Sequence, residues 1–247
     1  MKKLISVLLL LVAPVAAFAN TGVHLDSADI DLNNKAAAQR GAKYYVNYCQ
    51  GCHALSYQRY ERMAADLGLS KEEVMDNLVF TGAKFGQTMK NAMPKADAEK
   101  WFGTAPPDLS LIVRAKKGGA DWLYTYLRSF YLDPSRPFGV NNHVFKDVGM
   151  PDVLWELHGM QIAKYRTEKD DSGHEHEVFE GFERVKPGTM SPEEFDAMVR
   201  DLVSFLAYVS EPAQLKRKSM GIWVIGFLLI FSILAYFMKK EYWKDVH

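Results

Sequence analysis

The sequence predicts a mainly α-helical domain with long irregular connections, followed by one C-terminal transmembrane helix. Two amphipathic patterns begin with capping boxes, which mark the N-termini of helices. No segment alternates apolar and polar residues over the length of a strand, and no Asn-Gly hairpin signal is present. The segments 81–119 and 133–190 hold most of the glycines and prolines, and connections this long in a compact domain are usually functional.

The composition is that of an ordinary globular chain. The 247 residues include 30 basic and 30 acidic side chains, with 48% hydrophobic and 24% charged residues, which argues against a disordered chain, a collagen or a coiled coil. The length allows one or two domains, and the lack of an internal repeat or low-complexity linker favours one. Two cysteines exclude a multi-disulfide scaffold and a four-cysteine zinc site.

The first apolar segment has the pattern of a secretory signal peptide. Lys2 and Lys3 precede an apolar stretch from Leu4 to Val12, and Ala17-Phe18-Ala19 is a small-x-small cleavage site before Asn20. This segment is too short to span a bilayer as a helix. We therefore expect residues 1–19 to be a signal peptide, with an uncleaved N-terminal anchor as the alternative.

Two helices are expected in the first third of the exported chain. An alanine-rich pattern from Asn34 to Tyr48 brings tyrosines towards the first cysteine. Ser70 and Glu73 have the spacing of a capping box, which predicts a helix from Ser70 through Val79.

Two further helices are expected in the second half of the domain. Asp121 can cap a helix whose apolar residues recur on one face and which ends before Pro134. Ser191 and Glu194 form a second capping box, with proline at the first helical position, and predict a strong amphipathic helix that ends at Pro212.

The second apolar segment, Met220–Met238, is the predicted transmembrane helix. Its 19 residues contain no charge and just cross a hydrocarbon core of about 30 Å, whereas a buried core helix, the alternative, usually keeps a polar stripe. Three basic residues flank each side, so the positive-inside rule does not orient the span. With the signal peptide directing export, we expect residues 20–215 in the periplasm, the basic flank and span at 216–238, and a cytoplasmic tail at 239–247.

The run Cys49-Gln50-Gly51-Cys52-His53 indicates covalent haem attachment. Both thiols face one edge of a porphyrin, where each can add to a vinyl group, and the adjacent histidine reaches the iron as a neutral imidazole. A thioredoxin-like redox pair shares Cys-x-x-Cys, but it requires a preceding strand and alternating β and α elements. A structural disulfide closing so short a loop contributes little stability.

Two methionines are candidates for the opposite face of the iron. Met93 and Met150 each precede a proline in an irregular segment, and the proline disfavours helix at the methionine. The separation from His53 to Met93 is typical of small soluble c-type cytochromes, and spacing alone favours Met93 slightly. Other methionines are interpreted as core filling.

In these motifs and in the segments that follow, the chain resembles the cytochrome c1 family of the cytochrome bc1 complex. The resemblance covers nearly all of the exported chain, and the order of the segments makes it convincing. The segments are Cys49-Gln50-Gly51-Cys52-His53, Ala105–Ser110, Ile112–Ala115 with Gly118-Gly119, Val148–Glu156, the helix beginning at Ser191-Pro192 and the C-terminal apolar segment.

The resemblance implies a single c-type cytochrome domain with haem-enclosing loops, and it assigns further site residues. Met150 becomes the expected second iron ligand beside His53, and the segment containing Pro107 is implied to line the haem. Arg114 is implied to pair with a haem propionate, with a surface salt bridge as the alternative. Tyr126 is interpreted as a core residue without a functional role.

The resemblance also implies the function of one-electron transfer. Electrons would arrive from a Rieske iron–sulfur protein beside cytochrome b and leave to a soluble cytochrome c, within a dimeric complex in the inner membrane. The chain by itself is then an electron-transfer subunit, with no catalytic acid or base. Another membrane-tethered c-type cytochrome serving an oxidase or reductase is the first alternative, and a thiol–disulfide oxidoreductase is the second.

The charge of the chain is unevenly distributed. Residues 20–215 contain 22 basic and 28 acidic residues, a net charge of −6, while positive charge collects at the membrane. The stretch Glu168–Glu183 holds seven acidic residues and one lysine, and we hypothesise that it steers a basic soluble cytochrome c, with a solvated loop as the alternative. No nucleic-acid partner is expected. Two histidines in this stretch, His174 and His176, are interpreted as solvated and not as a metal site.

Overall fold

The structure is a computed structural model that describes residues 23–169 and 175–245. The predicted signal peptide, His174 and the final two residues of the tail lie outside the described part. The elements are α1 Lys35–Tyr44, a π-helical turn Tyr45–Cys49, β1 Leu55–Arg59, α2 Tyr60–Leu67, α3 Lys71–Asn77, β2 Thr88–Met89, α4 Lys95–Phe102, α5 Ile112–Ala115, α6 Gly119–Arg128, β3 Phe130–Leu132, β4 Val140–Asn142, α7 Trp155–His158, β5 Gly159–Lys169, β6 Glu175–Pro187, α8 Pro192–Ser210 and α9 Gln214–Tyr242.

The centre of the domain is the pair formed by α1 and α8. A Cβ atom added to Gly41 would lie 2.1 Å from the carbonyl oxygen of Asp201 and 2.7 Å from Cβ of Phe205, so only glycine lets the two backbones approach this closely. Arg40 extends the contact at the surface through a two-point ion pair with Asp201. The helix that precedes the cysteines is thereby fixed to the longest helix of the domain.

Both predicted capping boxes are present. The Ser70 hydroxyl accepts from the Glu73 amide while the Glu73 carboxylate accepts from the Ser70 amide, and α3 ends at Asn77. Ser191 and Glu194 repeat the arrangement at the start of α8. Each box satisfies two backbone donors that the first helical turn leaves free.

The predicted cap at Asp121 is wrong. The N-cap of α6 lies three residues earlier, at Gly118, which adopts a left-handed conformation. The Asp121 carboxylate instead accepts the amide of Ala28 at 2.8 Å, and Thr125 accepts the amide of Asp26 at 2.8 Å. The Asp121 carboxylate that was predicted to cap the helix thus binds the N-terminal extended segment instead.

The segment 133–190 was predicted to be an irregular connection, but part of it is regular. It contains β5 and β6, an antiparallel ribbon whose register runs from Gly159 opposite Pro187 to Lys169 opposite Glu175. Both faces of the outer half of this ribbon are largely exposed, so neither strand needs the alternation of apolar and polar residues by which strands are recognised.

The helix α9 extends beyond the predicted span at both ends and runs over Gln214–Tyr242. Among the described residues it is the one helix long and apolar enough to cross a membrane, with a mean hydropathy of 2.3 in its most apolar part. None of its residues is buried against the domain, so its apolar surface is free to contact lipid.

Candidate haem site

A π-helical turn shapes the chain around the two cysteines. It follows α1 directly and ends at Cys49, and the amide of Gln50 donates to the Tyr45 carbonyl across five residues. The carbonyl of Cys49 then accepts the amides of Cys52 and His53 at 3.1 and 2.8 Å. These bonds fold the motif into a tight turn that presents Cys49, Cys52 and His53 to one cavity.

The His53 ring is held with its Nε2 lone pair available to a metal. Its Nδ1 atom lies 2.7 Å from the carbonyl oxygen of Pro107, and because a carbonyl oxygen only accepts, Nδ1 must carry the proton. Burial lowers the pKa of His53, against the opposing effects of that hydrogen bond and of Asp108, so the ring is neutral at neutral pH. A neutral imidazole protonated at Nδ1 has Nε2 free to bind a metal.

The segment around Pro107 is fixed to the haem motif by a ladder of hydrogen bonds. The Leu109 amide donates to the Ala54 carbonyl at 2.9 Å, and the Asp108 carboxylate accepts the Ser56 amide at 2.9 Å. Burial alone would raise the pKa of Asp108, but hydrogen bonds from Ser110 and Ser56 hold it below its usual value. The carbonyl that orients His53 therefore belongs to a rigid segment.

The cavity between these segments comprises about 1250 Å³ of empty space, including open solvent at its mouth. Its lining is mostly apolar, which suits a flat porphyrin and excludes water from it. One group of lining residues comes from segments that follow the motif in the chain, namely Phe102, Pro106, Pro107, Leu109, Ile112 and Phe145. Helices α6 and α8 close the opposite wall with Trp122, Leu123, Tyr126, Leu127, Leu202 and Leu206.

Of the two candidate methionines, Met150 lines this cavity. Met93 is not among the lining residues. The segment after Met150 is fixed by Asp152, whose carboxylate accepts the Leu154 amide at 3.1 Å and pairs with Nε2 of His158 at 2.9 Å. His158 is buried and packs on Phe195 of α8, so the methionine loop is joined to the helical core.

The two thiols lack the properties of a thiol–disulfide catalyst. Burial, and then the neighbouring Cys52, raise the pKa of the Cys49 thiol to about 12. Burial also raises the pKa of Cys52. A redox-active Cys-x-x-Cys motif needs a thiolate of lowered pKa, so the local chemistry is opposite to that of an oxidoreductase.

The two basic residues near the cavity have different surroundings. Arg114 is exposed, and its Nη1 atom pairs with Glu211 at 2.8 Å, away from the cavity. Lys116 lines the cavity, and its Nζ atom lies 4.6 Å from the centre of the Trp122 ring and 5.1 Å from that of Phe145. Pairing of Arg114 with a propionate stays a prediction, while Lys116 is the one lysine or arginine that lines the cavity among residues 23–169 and 175–245.

Sequence reasoning missed three residues of this wall: Lys116, Trp122 and Tyr126. The available signal was their spacing, because residues 122 and 126 share one face of α6 and Lys116 precedes the two glycines that begin this helix. The rings of Trp122 and Tyr126 stack with their centres 4.9 Å apart and make a flat apolar surface at the cavity.

Fold and site together define a membrane-anchored cytochrome of the c type with one covalently bound haem. The model of the Cytochrome C1 family matches residues 29–246, and the chain belongs to this family. It is therefore a haem c-binding, electron-transfer component of the cytochrome bc1 complex.

Curated relatives agree with this family. The chain is 50% identical to the cytochrome c1 of Allochromatium vinosum over the whole of both chains. It is 44% identical, over 97% of each chain, to a protein of Nitrosomonas europaea named ammonia monooxygenase gamma subunit. It is 28% identical to a cytochrome b/c1 of Bradyrhizobium diazoefficiens, across 87% of this chain and 34% of that protein.

Proposed function

We propose that this chain passes single electrons from a Rieske iron–sulfur protein to a soluble cytochrome c, through a haem bound by thioethers to Cys49 and Cys52. In this proposal His53 and Met150 are the iron ligands. The observation that carries it is the convergence of these four side chains on one apolar cavity, although Met150 is almost a hundred residues from the motif.

The residues present fit the requirements of such a group. His53 has Nε2 free, and the Met150 thioether is a neutral donor. When bound, haem iron supplies the ferric–ferrous couple. The chain itself excludes water from the site and fixes the imidazole through Pro107 and the methionine loop through Asp152. A rigid apolar site needs little reorganisation when the charge of the iron changes, which favours rapid electron transfer.

The partners follow from the complex to which the family belongs. The name cytochrome b/c1 places a cytochrome b and a region similar to this chain within one protein, which supports cytochrome b as a neighbour. We expect cytochrome b and the Rieske protein to co-purify with this chain in a dimeric complex. Isolation of the chain with an oxidase or another reductase instead would contradict the proposal.

The domain boundaries are part of the proposal. Residues 1–19 are a cleaved signal peptide, and residues 20–215 form the periplasmic haem domain. Residues 216–238 are the basic flank and span in the inner membrane, and residues 239–247 the cytoplasmic tail. The uninterrupted helix Gln214–Tyr242, none of it buried, supports a single pass.

The ligand assignment is tested by replacing each candidate methionine. Met150→Leu keeps the size and the apolar character of the side chain but removes the sulfur, so the haem midpoint potential should fall by on the order of 0.1 V or more. The measurement is a redox titration of the haem in the purified complex, together with the weak ferric absorption band of an iron–sulfur bond.

Met93→Leu is the matched control, because the same change is made outside the cavity. Its potential and its iron–sulfur band should equal those of the unmodified protein, and the haem should stay covalently bound in both variants. Loss of the band in Met93→Leu, with an unchanged spectrum for Met150→Leu, would assign the ligand to Met93.

A further inference from the structure

The hydroxyl of Tyr126 lies against the sulfur of the proposed ligand. Its oxygen is 3.3 Å from Sδ of Met150, within hydrogen-bonding distance of a thioether. Both residues line the haem cavity, and Tyr126 is 8% exposed. Because the sulfur has no proton, the hydroxyl is the donor and the sulfur is the acceptor.

The Tyr126 ring is held so that its hydroxyl keeps this direction. The ring stacks on Trp122 with 4.9 Å between centres, and Phe130 meets it edge-on at 5.3 Å. Its backbone carbonyl accepts the buried Asn142 amide group at 2.8 Å. Within residues 23–169 and 175–245, the hydroxyl has no hydrogen-bond partner other than Met150.

The hydrogen bond and an iron bond can exist at the same sulfur. A thioether sulfur has two lone pairs, and coordination of the iron uses one of them. The second remains available to a donor such as the Tyr126 hydroxyl. A donor at this position draws electron density from the sulfur, which weakens its bond to ferric iron more than to ferrous iron, since the more highly charged ion depends more on donation.

We propose that the Tyr126 hydroxyl is a tuning residue, which raises the haem potential by hydrogen-bonding the axial sulfur. The inference depends on the proposed ligation by Met150 and adds to it the group that sets the donor strength of that ligand. A higher potential matches the place of this haem late in the electron path, where the acceptor has to be a good oxidant.

The test is the midpoint potential of Tyr126→Phe in the intact complex. This variant keeps the ring, its stacking and the apolar wall, and it removes only the hydroxyl. The equilibrium between ferric and ferrous haem should shift about three- to tenfold towards the ferric form, the range expected for one hydrogen bond. A tenfold shift is about 59 mV for a one-electron couple. The iron–sulfur band should remain.

Tyr124→Phe is the matched control on the same helix. Tyr124 is also buried, but its hydroxyl lies 3.5 Å from Nη2 of Arg200 and the residue does not line the cavity. Its loss should leave the potential unchanged. Haem content and thermal unfolding of both variants show whether either change disturbs the fold.

The measured potentials distinguish a failure of the tuning role of Tyr126 from a failure of the proposed ligation by Met150. An unchanged potential in Tyr126→Phe, beside a large fall in Met150→Leu, would overturn the role of the tyrosine and leave the ligand in place. An unchanged potential in Met150→Leu would overturn the ligand, whatever the tyrosine variant does. Loss of the iron–sulfur band in a folded Tyr126→Phe would also overturn the inference, because the hydroxyl would then hold the ligand in place and not tune it.

Discussion

Two basic side chains that are two residues apart have different partners in this protein. Arg114 forms an ion pair with Glu211, a carboxylate that also binds Arg217. Lys116 forms no ion pair with any residue that the structure describes and points its ammonium over two aromatic rings of the cavity. The guanidinium is thus already neutralised, while the ammonium is available to a carboxylate of the cofactor.

We expect Lys116→Gln to lower the haem potential and Arg114→Gln to leave it nearly unchanged. A cation near the haem disfavours the more positive ferric state. Its removal should therefore destabilise the ferrous state relative to the ferric state by on the order of 1 kcal/mol. A redox titration of both variants gives the comparison. A larger effect for Arg114→Gln would show that the guanidinium turns from Glu211 to the propionate when haem is bound.

The site was predictable to the extent that its chemistry is encoded locally. Cys49, Cys52 and His53 are adjacent in the sequence, and their spacing alone indicates the cofactor. Met150 was expected from the family resemblance, whereas spacing from the motif favoured Met93. The position of Met150 in the cavity depends on a loop held by Asp152 and His158. A ligand that is distant in the sequence is placed by packing, which a single sequence does not display.

The contact between α1 and α8 at the centre of the domain depends on the absence of a side chain at Gly41. Because a Cβ at Gly41 would meet the backbone oxygen of Asp201 at 2.1 Å, α1 would have to move away from α8 to accept one. Gly41→Ala gains up to about 1 kcal/mol of helix propensity, but the overlap should outweigh it and lower the free energy of unfolding by about 3 kcal/mol.

Chemical denaturation of the haem-loaded protein measures this loss. Gly86→Ala is the control, because an added Cβ there meets only a flexible Glu61 oxygen at 3.8 Å. Its stability should stay within about 0.5 kcal/mol of the parent protein. Equal stability of the two variants would mean that α1 and α8 adjust without loss of packing.

The elements predicted well are those with local end signals. The boxes at Ser70 and Ser191 begin helices at the expected residues, because cap and helix lie within one turn of each other. The cap predicted at Asp121 was wrong because the N-terminal segment, some ninety residues away, competes for the same carboxylate. The local prediction failed at Asp121 because the partner of its carboxylate is distant in the sequence.

In the β5–β6 ribbon, too, the partners of charged side chains lie on the facing strand, and a count of charge along the sequence does not reveal them. Counted along the chain, Glu168–Glu183 is strongly acidic. In the ribbon Lys164 pairs with Glu183 at 2.6 Å and Lys169 with Glu175 at 3.4 Å, so the facing strand neutralises part of this charge. The hypothesis that this stretch steers a basic cytochrome c stays a prediction, and the ribbon has less excess charge for that role than the count along the chain indicates.

At the scale of the whole molecule, the anchor and the haem domain share little more than one exposed ion pair. No residue of α9 is buried, and Arg217 contacts the domain through Glu211, which keeps Arg114 as a partner when α9 is absent. A chain that ends at residue 215 should therefore lose no core packing. We expect it in the periplasmic fraction, with haem bound and with the potential of the full chain.

Cell fractionation and redox titration of the truncated chain test this expectation, with the full-length protein as the membrane-bound control. Recovery of the truncated haem protein from the membrane fraction would show that the domain itself contacts lipid or a membrane partner. Recovery from the cytoplasm would contradict the proposed orientation.

The packing of α1 on α8 also has a consequence for biogenesis if the domain is exported as proposed. The helix that leads into the haem motif finds its partner some 160 residues later, in the last helix before the anchor. If the domain is exported from its N-terminus, as proposed, Cys49 and Cys52 would cross the membrane long before α8 can pack on α1. Both thiols would then be accessible for haem attachment before Leu202 and Leu206 of α8 complete the wall of the cavity.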